Sequence, residues 1–146
     1  MPARGEFSIG DIPFFDDYQF TDTGKSAKHF GLVLLPETST KYEGSLLCCV
    51  ITSKKPKRLK LVLYLQSSSY DFLSKDSYAC FDRKDLVSMR GLENGKQPKG
   101  SLKKPDLQKA YRKLKKSLYV IKDLASEPYL RGTIIYQWKK KLGLLK

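Results

Sequence analysis

One imidazole and one hydroxyl–ammonium run are the side chains of this 146-residue chain best equipped for chemistry. The only histidine, His29, stands just before the apolar run from Phe30 to Leu35. Thr52 and Ser53 close a second apolar run, immediately ahead of Lys54 and Lys55. An imidazole titrates near pH ~6.5, so it can take or give a proton at cellular pH. Hydroxyls beside ammonium groups offer donors to an anionic ligand. Taken singly, each signal has a plainer reading. A lone histidine is most often structural or on the surface, and a strand that ends in hydroxyl residues is one that reaches solvent. The three cysteines add no chemistry. Cys48 and Cys49 are adjacent and Cys80 is far away, which fits no zinc spacing and reads as small core hydrophobes in a reducing cytoplasm. No Walker loop, dinucleotide fingerprint or Gly-x-Ser-x-Gly elbow occurs, so no metal or cofactor is expected.

The elements that must position these residues change character midway. Ile9–Phe15, Phe30–Leu35 and Ser45–Ser53 read as strands, with polar connections at Thr21–Lys28 and Glu37–Gly44. Leu46 to Ile51 is one continuous apolar run, the mark of a strand buried on both faces. Leu59, Leu61, Leu63 and Leu65 alternate with other residues, a period-2 strand pattern. Tyr78–Phe81 and Leu86–Met89 are two shorter candidates. Such closely spaced short strands predict a small antiparallel barrel. After a Gly-, Pro- and Lys-rich loop at Asn94–Gly100 the period becomes helical. Leu107, Ala110, Tyr111, Leu114, Leu118, Ile121 and Leu124 form an apolar stripe on a helix expected over Pro105–Ala125. Glu127-Pro128 interrupts it, and Tyr129–Lys146 fits helix or strand equally. The class is α+β, mainly β. Residues 1–125 are expected to form a barrel plus helix and residues 126–146 a basic extension.

Charge is distributed as unevenly as pattern. Residues 1–94 carry 13 basic and 12 acidic side chains, whereas residues 95–146 carry 15 basic and 3 acidic. A near-neutral body therefore bears a cationic C-terminal third, which attracts polyanions such as RNA, DNA, an acidic protein segment or anionic lipid. A solvated, Lys-rich helix is the bland alternative. No apolar run approaches the ~18–20 residues of a membrane span, and the N-terminus lacks the pattern of a signal peptide.

Read in order, the segments resemble the MazF/PemK family of toxin endoribonucleases. Gly10-Asp11-Ile12 is similar to the family's opening strand, and Phe20-Thr21-Asp22 to the start of its first loop. Lys28-His29-Phe30-Gly31-Leu32-Val33-Leu34 resembles the family's Lys/His-Arg-Pro-Ala-(Leu/Val)-Val-Leu segment, and Val50-Ile51-Thr52-Ser53 its Pro-Ile-Thr-Ser/Thr signature. Asp76-Ser77-Tyr78, Leu86 and Met89 resemble later strands. Gly100-Ser101-Leu102 and the helix that follows resemble the terminal turn and helix.

The resemblance, over residues 9–122, implies an SH3-like barrel with a terminal helix, usually homodimeric. It implies metal-independent, sequence-selective cleavage of single-stranded RNA in the cytoplasm, and an acidic antitoxin that blocks the RNA groove. The family's catalytic Ser/Thr carries over to Thr52. Its catalytic Arg falls on His29, and the following Pro on Phe30, so this chain departs from the pattern at the chemistry itself. Arg supplies permanent charge but is a poor base, with a pKa above ~12. Histidine can serve as acid or base, leaving the charge to Lys28, Lys54, Lys55 and Arg58 on neighbouring segments. The expected RNA contacts are Lys28, Ser53, Lys54, Lys55, Arg58 and Tyr18, the last as a base-stacking ring. A catalytically inactive relative that only binds nucleic acid or a protein partner is the competing expectation.

Overall fold

The computed structural model describes residues 7–36, 44–57, 59–93 and 97–145. Six strands form one antiparallel sheet: β1 (Asp11–Gln19), β2 (Ser26–Leu35), β3 (Ser45–Thr52), β4 (Val62–Leu65), β5 (Ser77–Ser88) and β6 (Pro98–Ser101). Their spatial order is β4-β5-β3-β2-β1-β6. Two helices follow, α1 (Lys104–Val120) and α2 (Pro128–Lys141). The fold is α+β, as the change of period predicts. The expected closure into a barrel does not occur. β4 and β6 end the sheet on opposite sides, each is four residues long, and among the described residues they are not paired with one another. α1 packs against the β4 end of the sheet.

The sheet is buried on both faces, which explains the unbroken apolar run of β3. Leu47, Cys49 and Ile51 join Leu32 and Leu34 beneath the two helices. Leu46, Cys48 and Val50 point the other way, into a second cluster with Val33, Phe15, Tyr18 and Val87. Gly31 makes that second cluster possible. A Cβ there would lie 3.0 Å from the Phe15 ring and 3.1 Å from the Tyr18 ring, so the glycine lets both rings close tightly over β2 where a side chain would press them outward.

β1 runs on to Gln19 and β2 begins at Ser26, so Ser26–Lys28 is strand rather than loop, and four further elements differ from the sequence reading. Leu59–Leu61 is a 3-10 turn, and only Val62–Leu65 is extended; Leu61, Val62 and Leu63 are all buried, which strict alternation does not allow. The two short strand candidates are one twelve-residue strand, β5, running straight through Asp82-Arg83-Lys84-Asp85. Part of the presumed Asn94–Gly100 loop is β6, paired with β1; residues 94–96 lie outside the described residues, as do 37–43 of the connection before β3. The long helix stops at Val120, and Leu124–Ser126 forms a separate 3-10 turn.

α1 buries the expected stripe of Leu107, Ala110, Tyr111, Leu114 and Leu118. Each buried leucine there contributes roughly 1.5–3 kcal/mol. Residues 128–141 are helical. Glu127 caps α2 by accepting from the Tyr129 and Leu130 amides at 2.9 Å each, so the Glu-Pro pair that ends one helical pattern opens the next. The expected boundary at residue 125 falls between the helices. Beyond it, Leu130, Ile134 and Trp138 enter the same core as α1. Trp138 is fully buried, stacks on Tyr111 at 6.3 Å and donates Nε1–H to the Leu34 carbonyl at 2.9 Å. Trp138→Ala is expected to cost about 3–5 kcal/mol in denaturant unfolding, from the cavity and the orphaned carbonyl together.

Candidate nucleic-acid and catalytic site

The site is assembled by strand register. Phe30 pairs with Ile51 across β2 and β3, which sets His29 opposite Thr52. Opposite residues on antiparallel neighbours share a face. Both side chains are half-buried, and together they border two adjoining hollows. The first, about 260 Å³, is also lined by Phe14, Lys28, Ser53 and Lys75. The second, about 300 Å³, is lined by Phe20, Lys54, Lys55, Lys57, Asp82 and Arg83.

Local hydrogen bonding orients Thr52. Its Oγ1 accepts the Lys54 amide at 3.1 Å, which leaves the hydroxyl proton free to donate into the hollow. The same turn swings Lys54 and Lys55 out of the sheet and over the site. His29 is steered by aromatic edges, with the Phe20 ring 5.7 Å and the Tyr18 ring 6.2 Å away. Lys28, Ser53, Lys54 and Lys55 are all exposed around the pair. The structure therefore gathers His29, Thr52, Lys28, Ser53, Lys54 and Lys55. Arg58 lies outside the described residues.

Tyr18 requires a correction. It is fully buried, and its hydroxyl donates to Asp85 Oδ2 at 2.9 Å, so no ring face is open for a base. A β-bulge between Phe15 and Tyr18 shifts the register with β2 and Tyr18 lies in the second core cluster. The half-buried aromatic at the site is Phe20 instead, with the Arg83 guanidinium 4.7 Å above its ring. Arg83 and Asp82 were not legible as site residues. They sit in a charged run whose sequence carries no motif, and only the path of β5 brings them to the hollow. Arg83 also reaches Asp22 at 3.3 Å. Asp82 Oδ1 is buried with no hydrogen-bond partner among the described residues, an open acceptor at the edge of a cationic cavity. The described residues contain no group of three His, Cys, Asp or Glu side chains placed to hold a metal.

Behind the site, Asp85 pins the loop after β1. It is 2% exposed and accepts both Tyr18 Oη–H and the Thr21 amide, the latter at 2.8 Å. Burial raises its pKa above the usual carboxylate range, and the two hydrogen bonds only partly offset this. Below about pH 4 the group is protonated in folded and unfolded chains alike. As pH rises, the unfolded chain ionises first, so stability falls through the window up to the raised folded value. In Asp85→Asn this fall is expected to disappear from the pH profile of the urea midpoint. A profile unchanged by the substitution would place the titration elsewhere.

The architecture and the site define a class: an open antiparallel sheet backed by terminal helices, with a cationic cleft where β2 and β3 meet. The chain matches no protein-family model and no curated protein. Among solved structures it is similar to the Mycobacterium tuberculosis toxin MazF-mt6, with a TM-score of 0.54 at 13% identity, over 76% of this chain and 99% of that one. The chain thus has the fold of a MazF toxin. Among the described residues no helix is long and apolar enough to cross a membrane.

Proposed function

We propose that this chain is a sequence-selective endoribonuclease that cuts single-stranded RNA without a metal, acting in the cytoplasm as the toxin of a toxin–antitoxin pair. The observation that carries the reading is that His29 and Thr52 border the same two hollows, ringed by Lys28, Lys54, Lys55, Lys57 and Arg83. The MazF-like fold supports it. The ribose 2′-oxygen attacks the adjacent phosphorus, a cyclic phosphate forms, and the bond to the 5′-oxygen breaks. The 2′-hydroxyl proton must go to a base, and the leaving oxygen must receive one. In this scheme His29 accepts the 2′-hydroxyl proton and, as the imidazolium, returns a proton to the leaving 5′-oxygen. The Thr52 hydroxyl donates to a non-bridging oxygen, and the lysines with Arg83 offset the charge of the pentacoordinate phosphorus. An acidic antitoxin segment fits the same cationic cleft, and a homodimer is the assembly we assign.

The test is incubation of the pure protein with a long single-stranded RNA, with and without EDTA, followed by mapping of the cut ends. Cuts at a short recurring motif that persist in EDTA, leave cyclic phosphate ends and vanish on 2′-O-methylation are the expected result. Intact RNA over a range of pH and substrates would overturn the nuclease reading in favour of a binding module.

A further inference from the structure

The His29–Thr52 pair is one end of a longer row. Thr52 pairs with Tyr78 on β5, and Tyr78 pairs with Tyr64 on β4. The four side chains therefore share one face and cross four strands, a span of roughly 14 Å at ~4.8 Å per strand. At the far end the Tyr64 and Tyr78 rings lie 5.4 Å apart, inclined by 41°. Tyr64 is 45% exposed, yet it is not loose. Its hydroxyl donates to Asp76 at 2.6 Å, and Asp76 is itself held by the Ser67 amide at 2.8 Å and hydroxyl at 3.0 Å. A tethered, half-exposed ring is a platform whose ordering cost has already been met within the fold.

Cations complete the picture. A hollow of about 520 Å³ beside the two rings is bordered by Lys55, Lys109 and Lys113. Lys109 and Lys113 project from successive turns of α1, and Lys55 borders this hollow and the His29–Thr52 cleft alike. Among the described residues none of the three lysines is in a salt bridge. Ammonium groups without a carboxylate partner around aromatic faces are what single-stranded nucleic acid requires: charge along the backbone and rings under the bases.

We infer that Tyr64 and Tyr78 form a base-stacking subsite for the RNA strand flanking the scissile phosphate. Lys55, Lys109 and Lys113 hold the phosphates between that subsite and the cleft. The strand then crosses β3, β5 and β4 in turn, and the Lys109–Lys113 edge of α1 is part of the RNA path. This inference rests on the endoribonuclease reading and adds the direction of the substrate.

The experiment compares the parent with Tyr64→Ala, Tyr64→Phe and Tyr119→Ala, the last an exposed ring outside this hollow. Binding is read by fluorescence anisotropy on a short 2′-O-methylated single-stranded RNA, and cleavage by kcat and KM on its unmodified form. Tyr64→Ala is expected to bind about tenfold more weakly and to raise KM by a similar factor with kcat unchanged. Tyr64→Phe keeps the ring but loses the Asp76 tether, so it should bind only about two- to threefold more weakly than the parent, whereas Tyr119→Ala should match the parent. In an abasic series on the same RNA, the sensitive position should lose its effect in Tyr64→Ala. Loss in Tyr64→Phe equal to that in Tyr64→Ala would show that the Asp76 tether rather than the ring matters, and would overturn the stacking subsite. Parental binding and cleavage by Tyr64→Ala would overturn the subsite and leave the nuclease intact. A parent protein that neither binds nor cuts RNA would overturn both.

Discussion

His29→Ala is expected to slow RNA cleavage by about 10²–10⁴-fold in kcat while leaving RNA affinity close to that of the parent. The reason is the division of labour at the cleft. Affinity comes from many groups, including Lys54, Lys55, Lys57 and Arg83, so losing one half-buried ring removes little of it. Proton transfer has few candidates, because lysine and arginine are charged at neutral pH and neither is a good base. Thr52→Ala is expected to lose about 10²–10³-fold through the missing donor to the developing oxyanion. Thr52→Ser keeps both the hydroxyl and the contact with the Lys54 amide, 3.1 Å in the parent, and should retain most activity. His29 is partly wedged between Phe20 and Tyr18, so His29→Gln serves as a second variant that preserves bulk. Full activity in His29→Ala would remove His29 from the chemistry. A large loss of affinity with unchanged turnover would make it a phosphate contact only.

The second large effect concerns folding. Lys84 is wholly buried, with its ammonium 2.7 Å from the Phe81 carbonyl, 3.1 Å from Ser117 Oγ and 3.0 Å from Asp123 Oδ2. These three partners come from β5, from α1 and from the turn before α2, so one ammonium ties the helices to the sheet. The two members of the ion pair are unequal in exposure, 0% for the Lys84 side chain and 18% for that of Asp123. Asp123→Asn leaves the buried ammonium without its counter-charge and is expected to cost about 3–5 kcal/mol. Asparagine also keeps an oxygen for the Ala125 amide, so the turn's cap survives and the loss reports the charge. Lys84→Met should cost less, because Asp123 can then turn toward water, and Lys84→Met combined with Asp123→Asn should recover much of the single Asp123 loss. Denaturant unfolding of the four proteins gives the cycle directly. Purely additive losses would mean that the pair is not coupled.

The Lys84 network also shows where sequence reading stops. The apolar run of β3 and the helical stripe from Leu107 to Leu118 state their own burial, since one side chain after another has nowhere favourable to go but the core. Asp82-Arg83-Lys84-Asp85 states the opposite. Four charged residues in a row read as a solvated break, and two short strands are the natural inference. They are the middle of one long strand because Asp123, Ser117, Tyr18 and Thr21 arrive from distant segments to satisfy Lys84 and Asp85. β6 is similar in kind. Pro98-Lys99-Gly100-Ser101 has no strand signal of its own and is extended because β1 offers it an edge.

By itself, the sequence determined the α+β class, the two-faced burial of β3, the buried stripe of α1, the concentration of charge in the C-terminal third and the nomination of His29 and Thr52. These are local properties, written in residue type and period. Tertiary structure decided what depends on registers and partners. It set His29 across from Thr52, and it turned Tyr18 inward onto Asp85. It carried Asp82 and Arg83 to the cleft, left the sheet open, and placed Trp138 in the core of a segment whose composition reads as a basic tail. A residue's neighbours along the chain fix its period. The neighbours that fix its exposure and its chemistry come from elsewhere, at the moment the strands pair.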